Sequence, residues 1–231
     1  MTTNSEAFAA FADNSYSWRF IEEPAFDRAI GPSAYMDAPY ILDVGSGHGR
    51  VVDYHIRRGA TAVNIWGVEP DSESVEKSRQ RFPEVNFIEQ TIQETPFAPN
   101  SFDIVTAQLS LRYLSDGELA VTCNKLARSL RPGGLFFMLD AHPVRYGMQD
   151  GFDRYFHEGN REVATPWGGH ERYYYRTLAT YTNTLIRAGF TFARLDECPI
   201  AEAGKTADHA KEHARYAVSP ARFAIQATKR A

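Results

Sequence analysis

Cysteine is scarce in this sequence, which has two, Cys123 and Cys198, among 231 residues. Two cysteines suggest neither a disulfide framework nor a metal cluster, so we expect no bound metal and a reducing, cytoplasmic compartment. The N-terminus also lacks the basic stretch and the apolar core of a secretory signal, which agrees with that expectation.

Long apolar runs and basic blocks are missing as well. No stretch approaches the roughly 20 apolar residues of a membrane-spanning helix, and the formal net charge is −4. We therefore expect neither a membrane nor a nucleic acid as a partner. What remains is an ordinary globular composition, 43% hydrophobic and 23% charged. Its length fits one large α/β domain, or one domain with a modest appendage.

One glycine-rich stretch organises the rest of the chain. A strand-like segment ends in Asp43 and is followed by glycine at every second position, Gly45, Gly47 and Gly49, and then by a helical pattern. Glycines let a ligand approach bare backbone, and a helix N-terminus offers free N–H groups. A dinucleotide fingerprint, G-x-G-x-x-G, would need a third small residue where Arg50 stands. The pattern is instead D-x-G-x-G-x-G.

Strand-like and helical segments alternate after this loop, which predicts a mostly parallel sheet with helices on both faces. Helix-end signals support the alternation: Asp71 can cap one helix, Ser115 and Glu118 form a capping-box pattern, and Gly189 follows another helix. The predicted strands after the first are 63–69, 85–90, 102–107, 131–140 (which begins with a turn), 190–200 and 221–228.

Four signatures, in this order and spacing, resemble the class I S-adenosylmethionine (SAM)-dependent methyltransferases. They are the D-x-G-x-G-x-G loop, Glu69 at the end of the second strand, the segment from Thr91 to the Ser-Phe-Asp at 101–103, and the Arg-Pro-Gly-Gly turn at 131–134. The resemblance covers residues 38–140 with specific motifs. It implies a Rossmann-like, doubly wound sheet of seven strands with an antiparallel last strand, bound SAM, and methyl transfer to a small-molecule acceptor.

The same resemblance implies where SAM is held. Glu69 lies where two carboxylate oxygens can accept hydrogen bonds from two ribose hydroxyls. Thr91 stands where the family usually has an aspartate that contacts the adenine amino group, and Ile92 would cover the adenine face. The full set of expected SAM contacts is Asp43, Gly45, Ser46, Gly47, Gly49, Glu69, Pro70, Thr91, Ile92 and Gln108.

The segment after the fourth strand excludes two subclasses. It lacks the Asn/Asp-Pro-Pro-aromatic motif of methyltransferases that act on DNA bases, and it lacks the acidic metal ligand of catechol methyltransferases. We expect one domain, with N-terminal cap helices (1–37), a SAM-binding half (38–140), an aromatic-rich insertion after strand five (141–176) and a C-terminal half of the sheet (177–231).

Aromatic residues make up 13% of the chain, and many lie in the 141–176 insertion. Because this insertion leaves the carboxyl end of the fifth strand, we expect it to form a lid over the ligand crevice; an irregular excursion with its own small core is the alternative. Tyr16 and Trp18 either contact the acceptor or staple the N-terminal helices to the sheet. The expected acceptor contacts are Tyr16, Trp18, Arg112, Tyr113, Tyr146, Trp167 and His170.

His142 is the candidate general base. It follows strand five by two residues, at the lip of the crevice, and a base is useful when the acceptor carries a proton. His157 and His170, in the insertion, are its competitors. The alternative for His142 is a histidine that caps the strand end or packs under the lid.

Two rival functions stay open. One is a SAM-binding enzyme of the same fold with different chemistry, such as a cyclase or a decarboxylase; the other is a non-catalytic SAM-binding subunit. Arg50 argues against an NAD-dependent dehydrogenase. The main expectation is methyl transfer to an O, N or C atom of a small molecule, with secondary metabolism as one expected setting. Near-attack positioning supplies most of the catalysis.

Overall fold

The computed structural model describes residues 15–145, 154–164 and 169–230. Within these ranges there are nine strands and six α-helices. The strands are β1 (Ile41–Val44), β2 (Ile65–Glu69), β3 (Asn86–Glu89), β4 (Phe102–Gln108), β5 (Leu130–Ala141), β6 (Gly159–Ala164), β7 (His170–Tyr175), β8 (Phe190–Asp196) and β9 (Arg222–Lys229). The helices are α1 (Glu23–Ala29), α2 (Arg50–Arg57), α3 (Ser72–Arg81), α4 (Asp116–Ser129), α5 (Leu178–Arg187) and α6 (Ala210–Ala217).

Seven strands form one sheet in the order β3-β2-β1-β4-β5-β9-β8. The pairs from β3 to β5 are parallel, whereas β9 is antiparallel to both β5 and β8. This confirms the predicted seven-stranded, doubly wound sheet and its antiparallel last strand. The strand order reverses between β1 and β4, so the carboxyl ends of these two strands open the crevice where such sheets bind ligands.

Helices cover both faces of the sheet. Phe26 of α1, Val52 of α2 and Val75 of α3 are fully buried in one core cluster. Leu126 of α4 and Leu185 of α5 are buried in the cluster on the other face. Alternate residues of β1 enter the two clusters, because successive side chains of a strand point to opposite faces.

Local sequence signals set several helix ends. The Asp71 side chain caps α3 by accepting a hydrogen bond from the Ser74 N–H at 2.8 Å. Ser115 and Glu118 form the capping box of α4. Gly189, with φ of +93°, follows α5 in the left-handed conformation that favours glycine. These three ends agree with the sequence prediction.

In the insertion and in the N-terminal region the structure contains elements that the sequence did not predict. Strands β6 and β7 form an antiparallel hairpin separate from the main sheet. A π-helical turn, Trp18–Glu22, leads directly into α1. Residues 1–14 of the predicted N-terminal cap lie outside the described residues, and the domain division stays a prediction. No helix in the described ranges is both long and apolar enough to cross a membrane.

Candidate cofactor and acceptor site

The glycine loop lies between β1 and α2, at the crevice. The Gly45 and Ser46 N–H groups donate to the Val68 carbonyl at 2.8 and 3.1 Å, which ties the loop to β2. A Cβ on Gly45 would lie 2.3 Å from the Ser110 Cβ, whereas a Cβ on Gly47 would meet nothing within 4 Å. The loop is therefore packed at Gly45 and open at Gly47, which is the place for a ligand to approach backbone.

Gly49 serves packing more than ligand approach. It has φ of +80° and stands just before α2. A Cβ there would lie 2.7 Å from the Phe82 ring. This glycine lets α2 pack closely against the end of α3, and its expected SAM contact stays a prediction.

Glu69 links the loop to the start of α3. Its Oε2 accepts from the Gly47 N–H at 3.0 Å, and its Oε1 accepts from the Asp71 N–H at 3.0 Å. Burial raises the pKa of this carboxyl, and the two backbone hydrogen bonds act against that rise. Each oxygen keeps lone-pair capacity for a further donor. Pro70, the next residue, is exposed.

Asp43 is fully buried beneath the glycine loop. Its Oδ1 accepts from the Thr106 hydroxyl at 2.9 Å, while its Oδ2 has no hydrogen-bond partner among the described residues. Burial raises the pKa of Asp43 to about 7. The Ser46 hydroxyl is also buried without a described hydrogen-bond partner. Two such polar atoms beside an open loop suit a ligand that brings hydrogen-bond donors.

A chain of buried polar groups continues from Asp43 into the fold. The His55 Nε2 lies 3.4 Å from the Thr106 hydroxyl, and its Nδ1 lies 2.9 Å from the Tyr35 hydroxyl. Burial lowers the pKa of His55 to about 3, so this ring is neutral. His55 therefore fixes Thr106 beneath the loop instead of carrying charge.

Thr91 and Ile92 follow β3. The Thr91 hydroxyl donates to Glu94 Oε2 at 2.7 Å and so closes a tight turn. Ile92 is buried in the core cluster on the α4 face. Thr91 is half-buried and its hydroxyl oxygen can still accept a hydrogen bond. Both adenine contacts stay predictions.

The end of β4 contains a strained residue. Leu109 has φ of +54°, a conformation uncommon for a residue with a side chain. The turn brings the next residue, Ser110, against the loop, where its hydroxyl donates to the Val44 carbonyl at 2.6 Å. On the other side of Leu109, the Gln108 amide donates to Glu22 Oε2 at 2.5 Å.

Glu22 is a site residue that sequence reasoning missed. It is fully buried, and its carboxylate accepts from Arg222 Nε at 2.8 Å and lies 3.6 Å from Arg50 Nη1. Burial would raise the pKa of Glu22, but the two arginines outweigh it, so the pKa lies below its usual range. The only sequence signal was its position four residues after Trp18 and four before Phe26, on one helix face.

The two N-terminal aromatics have different surroundings. Trp18 is 4% exposed and packs edge-on against Phe26, with the Arg50 guanidinium 5.2 Å from its ring. These contacts favour the stapling role. Tyr16 is half-buried, donates to the Gly204 carbonyl at 2.7 Å and stacks on Tyr216 of α6. Tyr16 thus joins the N-terminal cap to the 201–217 segment, and its acceptor contact stays a prediction.

Both ring nitrogens of His142 are engaged. Its Nδ1 accepts from the Val144 N–H at 3.2 Å, which places the ring proton on Nε2, 3.2 Å from Glu197 Oε1. The residue is 1% exposed, and burial lowers its pKa while Glu197 acts against that shift. These contacts favour the alternative of a histidine that caps the strand end. The general-base role stays a prediction that they do not favour.

Arg112 and Tyr113 both contact the hairpin, Arg112 as a buried residue and Tyr113 as an exposed one. The Arg112 guanidinium stands 4.5 Å from the centre of the Tyr173 ring, and the Tyr113 hydroxyl donates to Glu171. Both contacts reach β7. His170 begins β7 and is exposed. Tyr146 and Trp167 lie outside the described residues. Of the expected acceptor contacts, Arg112 and Tyr113 are thus brought together at the end of β4.

The central part of the chain matches a known family. Residues 41–134 match the family model described as "Methyltransferase domain". The sequence is 26% identical over 124 residues to an uncharacterised methyltransferase of Synechocystis, covering 54% of this chain and 55% of that protein.

Other curated relatives match the same region. A ubiquinone/menaquinone biosynthesis C-methyltransferase of Campylobacter jejuni is 27% identical, over 43% of each protein. A fatty-acid O-methyltransferase of Mycolicibacterium smegmatis is 29% identical, over 51% of this chain and 42% of that protein. The chain thus spans about half or less of the length of these relatives.

Solved structures match over nearly the whole fold. A SAM-dependent methyltransferase from Mesorhizobium loti has a TM-score of 0.76 at 22% identity, over 94% of this chain and 99% of that one. A putative SAM-dependent methyltransferase from Listeria monocytogenes has a TM-score of 0.73 at 24% identity, over 94% and 98%. These matches confirm the fold that the resemblance implied.

Proposed function

We propose that this chain, whose residues 41–134 match a family model described as a methyltransferase domain, transfers the methyl group of SAM to a small-molecule acceptor. The observation that carries the proposal is the pairing of an open glycine loop with a fixed carboxylate. A Cβ on Gly47 would meet no atom within 4 Å. The Gly47 N–H group donates a hydrogen bond of 3.0 Å to Oε2 of Glu69, at the end of β2.

The residues of the crevice fit SAM. Glu69 is oriented by two backbone N–H groups and has lone pairs left for the ribose hydroxyls. Asp43 Oδ2 and the Ser46 hydroxyl are buried polar atoms that a donor-bearing ligand would satisfy. When bound, SAM supplies a methyl group already activated by a positively charged sulfur. The chain's own task is to hold the acceptor in line with that methyl group and to exclude water.

The size of the acceptor follows from what surrounds the crevice. The hairpin and the N-terminal cap both reach the end of β4, through Arg112–Tyr173 and Gln108–Glu22, and Tyr16 of the cap contacts Tyr216 of α6. Such an enclosure suits a small molecule better than a protein or a nucleic acid. Relatives named for quinone and fatty-acid methylation support the same class.

The test is an acceptor screen with SAM labelled in its methyl group, followed by mass spectrometry of both products. We expect S-adenosylhomocysteine (SAH) and a methylated acceptor to appear in equal amounts. An acceptor converted without SAH release would favour cyclase or decarboxylase chemistry instead. Tight SAM binding with no conversion of any compound would favour a non-catalytic subunit.

A further inference from the structure

The contact between Arg112 and the hairpin lies beyond the carboxyl end of β4, the strand that borders the crevice. Arg112 belongs to the short 3-10 turn Leu111–Tyr113, directly after Ser110, whose hydroxyl donates to the end of β1. Its side chain is 7% exposed. A guanidinium is always charged, and a buried one needs a counter-charge. Arg112 is thus a buried cation that lies two residues after Ser110, the residue that contacts the glycine loop.

Two carboxylates provide counter-charge: the buried Asp140, whose raised pKa Arg112 acts against, and Glu171 of the hairpin. Glu171 of β7 places its Oε2 3.7 Å from Arg112 Nη2, and its Oε1 accepts from the Tyr113 hydroxyl. The Tyr173 ring, on the same strand, covers the guanidinium at 4.5 Å. A ring stacks on the face of a guanidinium, while carboxylates bind its N–H edge. The Arg112 guanidinium can therefore contact the Tyr173 ring with its face and bind a carboxylate with its N–H edge at the same time.

Three titratable groups near this point already have partners within the protein. His142 has both ring nitrogens engaged. Asp140 accepts from the Ala141 N–H at 2.7 Å and from the Tyr181 hydroxyl at 3.3 Å, and Glu22 is held by Arg222. Each of these three groups is thus already engaged by other groups of the protein. The site suits an acceptor that is already ionised.

We propose that Arg112 binds the carboxylate of the methyl acceptor, that the acceptor is a carboxylic acid, and that Glu171 occupies this place until the acceptor displaces it. This inference rests on the proposed methyl transfer. An acceptor carboxylate oxygen forms the new bond to the methyl carbon as the carbon–sulfur bond breaks, and the electron pair of that bond stays on sulfur. The products are a methyl ester and SAH, and no proton is removed.

The first experiment compares acceptors. Octanoate, laurate, benzoate and cinnamate are each incubated with the protein and labelled SAM, beside octanol, catechol and hydroquinone. We expect a base-labile methyl ester from at least one carboxylate and no product from the alcohol or the phenols. Methylation of the phenols alone would overturn the proposal. So would the absence of any ester from the four acids and labelled SAM when the protein is shown separately to bind SAH. Failure to bind SAH at all would instead refute the proposed function.

The second experiment uses variants with opposite expected effects. Arg112→Gln should raise KM for the preferred acid about 10- to 100-fold, because hydrogen bonds to a charged group are lost. Arg112→Lys keeps the positive charge but lacks the planar guanidinium that can form two parallel hydrogen bonds. Its KM for the acid should lie between those of the unaltered protein and Arg112→Gln. Glu171→Gln removes the internal competitor and should lower KM about two- to fivefold. If the contact only anchored the hairpin, Arg112→Gln and Glu171→Gln would both impair turnover.

Arg172→Gln is the matched control, because Arg172 lies on the same strand with its side chain 85% exposed. It should leave KM unchanged. The thermal shift caused by SAH is measured for every variant and should equal that of the unaltered protein. This second readout separates loss of acceptor binding from loss of folding. An Arg112→Lys protein that folds and binds SAH yet keeps its KM for the acid would contradict the assignment.

Discussion

Asp43, the carboxylate of the glycine motif, lies in an environment very different from that of an ordinary carboxylate in water. It is 1% exposed, and one of its two oxygens bonds only to Thr106. The sequence predicted its place at the end of β1 but not its isolation from water, because burial depends on α2 and on the loop above it. The raised pKa of about 7 is a consequence of that packing.

This burial gives a pH-dependent stability of known sign. Between about pH 4 and pH 7 the folded protein holds a proton on Asp43 that the unfolded chain has lost. The contribution of this residue to the free energy of unfolding therefore falls as the pH rises through that window, by about 1.4 kcal/mol per unit of pKa shift.

Asp43→Asn should remove that dependence, since an amide keeps the shape and carries no charge. Urea unfolding of the unaltered protein and of the variant at pH 5 and pH 8 measures it. We expect the variant to lose less stability than the unaltered protein between these two pH values. Equal losses would mean that Asp43 is not the buried titrating group.

At the scale of elements, a buried ion cluster helps to attach the N-terminal cap to the sheet. Glu22, at the end of the π-helical turn, reaches Arg222 on β9 and Arg50 at the start of α2. The neighbouring Glu23 pairs with Arg57 at 2.8 Å, and the Arg57 side chain is 46% exposed. Of two consecutive glutamates, the first thus belongs to a buried ion cluster and the second to ion pairs at the surface.

These neighbours make a matched pair of variants. Glu22→Gln removes the buried charge that faces two half-buried arginines and should cost about 3–5 kcal/mol of the free energy of unfolding. Glu23→Gln should cost about 1 kcal/mol or less. Chemical unfolding of both variants measures the difference. Costs of similar size would show that the cap is not held by the Glu22 cluster.

The elements also differ in how well sequence predicts them. The strands of the main sheet and the helix ends at Asp71, Ser115 and Gly189 carry local signals, and the structure has them. The hairpin does not: β6 alternates half-buried and exposed residues and has Val163 as its one large apolar residue. β6 pairs with β7, and the local sequence pattern of β6 does not reveal that pairing.

At the scale of the whole molecule, function follows from where the sheet reverses. The loop after β1, Glu69 after β2 and the turn after β4 meet at one edge, although 64 residues separate Gly45 from Leu109. The sequence could place each of these signals at a strand end, and parallel strands bring such ends together. The sequence alone could not predict that Arg112 contacts Glu171 or that Glu22 contacts Arg222, because each contact joins two segments that share no periodic pattern.

The most direct test of SAM use is the thermal shift that SAH and NAD each cause in the unaltered protein and in two variants. At about 100 times its Kd, SAH should stabilise the protein by about 2.7 kcal/mol, or roughly 5–10 °C, and NAD should not. Glu69→Ala should weaken SAH binding by about 1.5–3 kcal/mol. Glu89→Ala, at the end of the neighbouring strand and exposed, should bind SAH normally. A shift with NAD but not SAH, or equal SAH binding by both variants, would contradict the account.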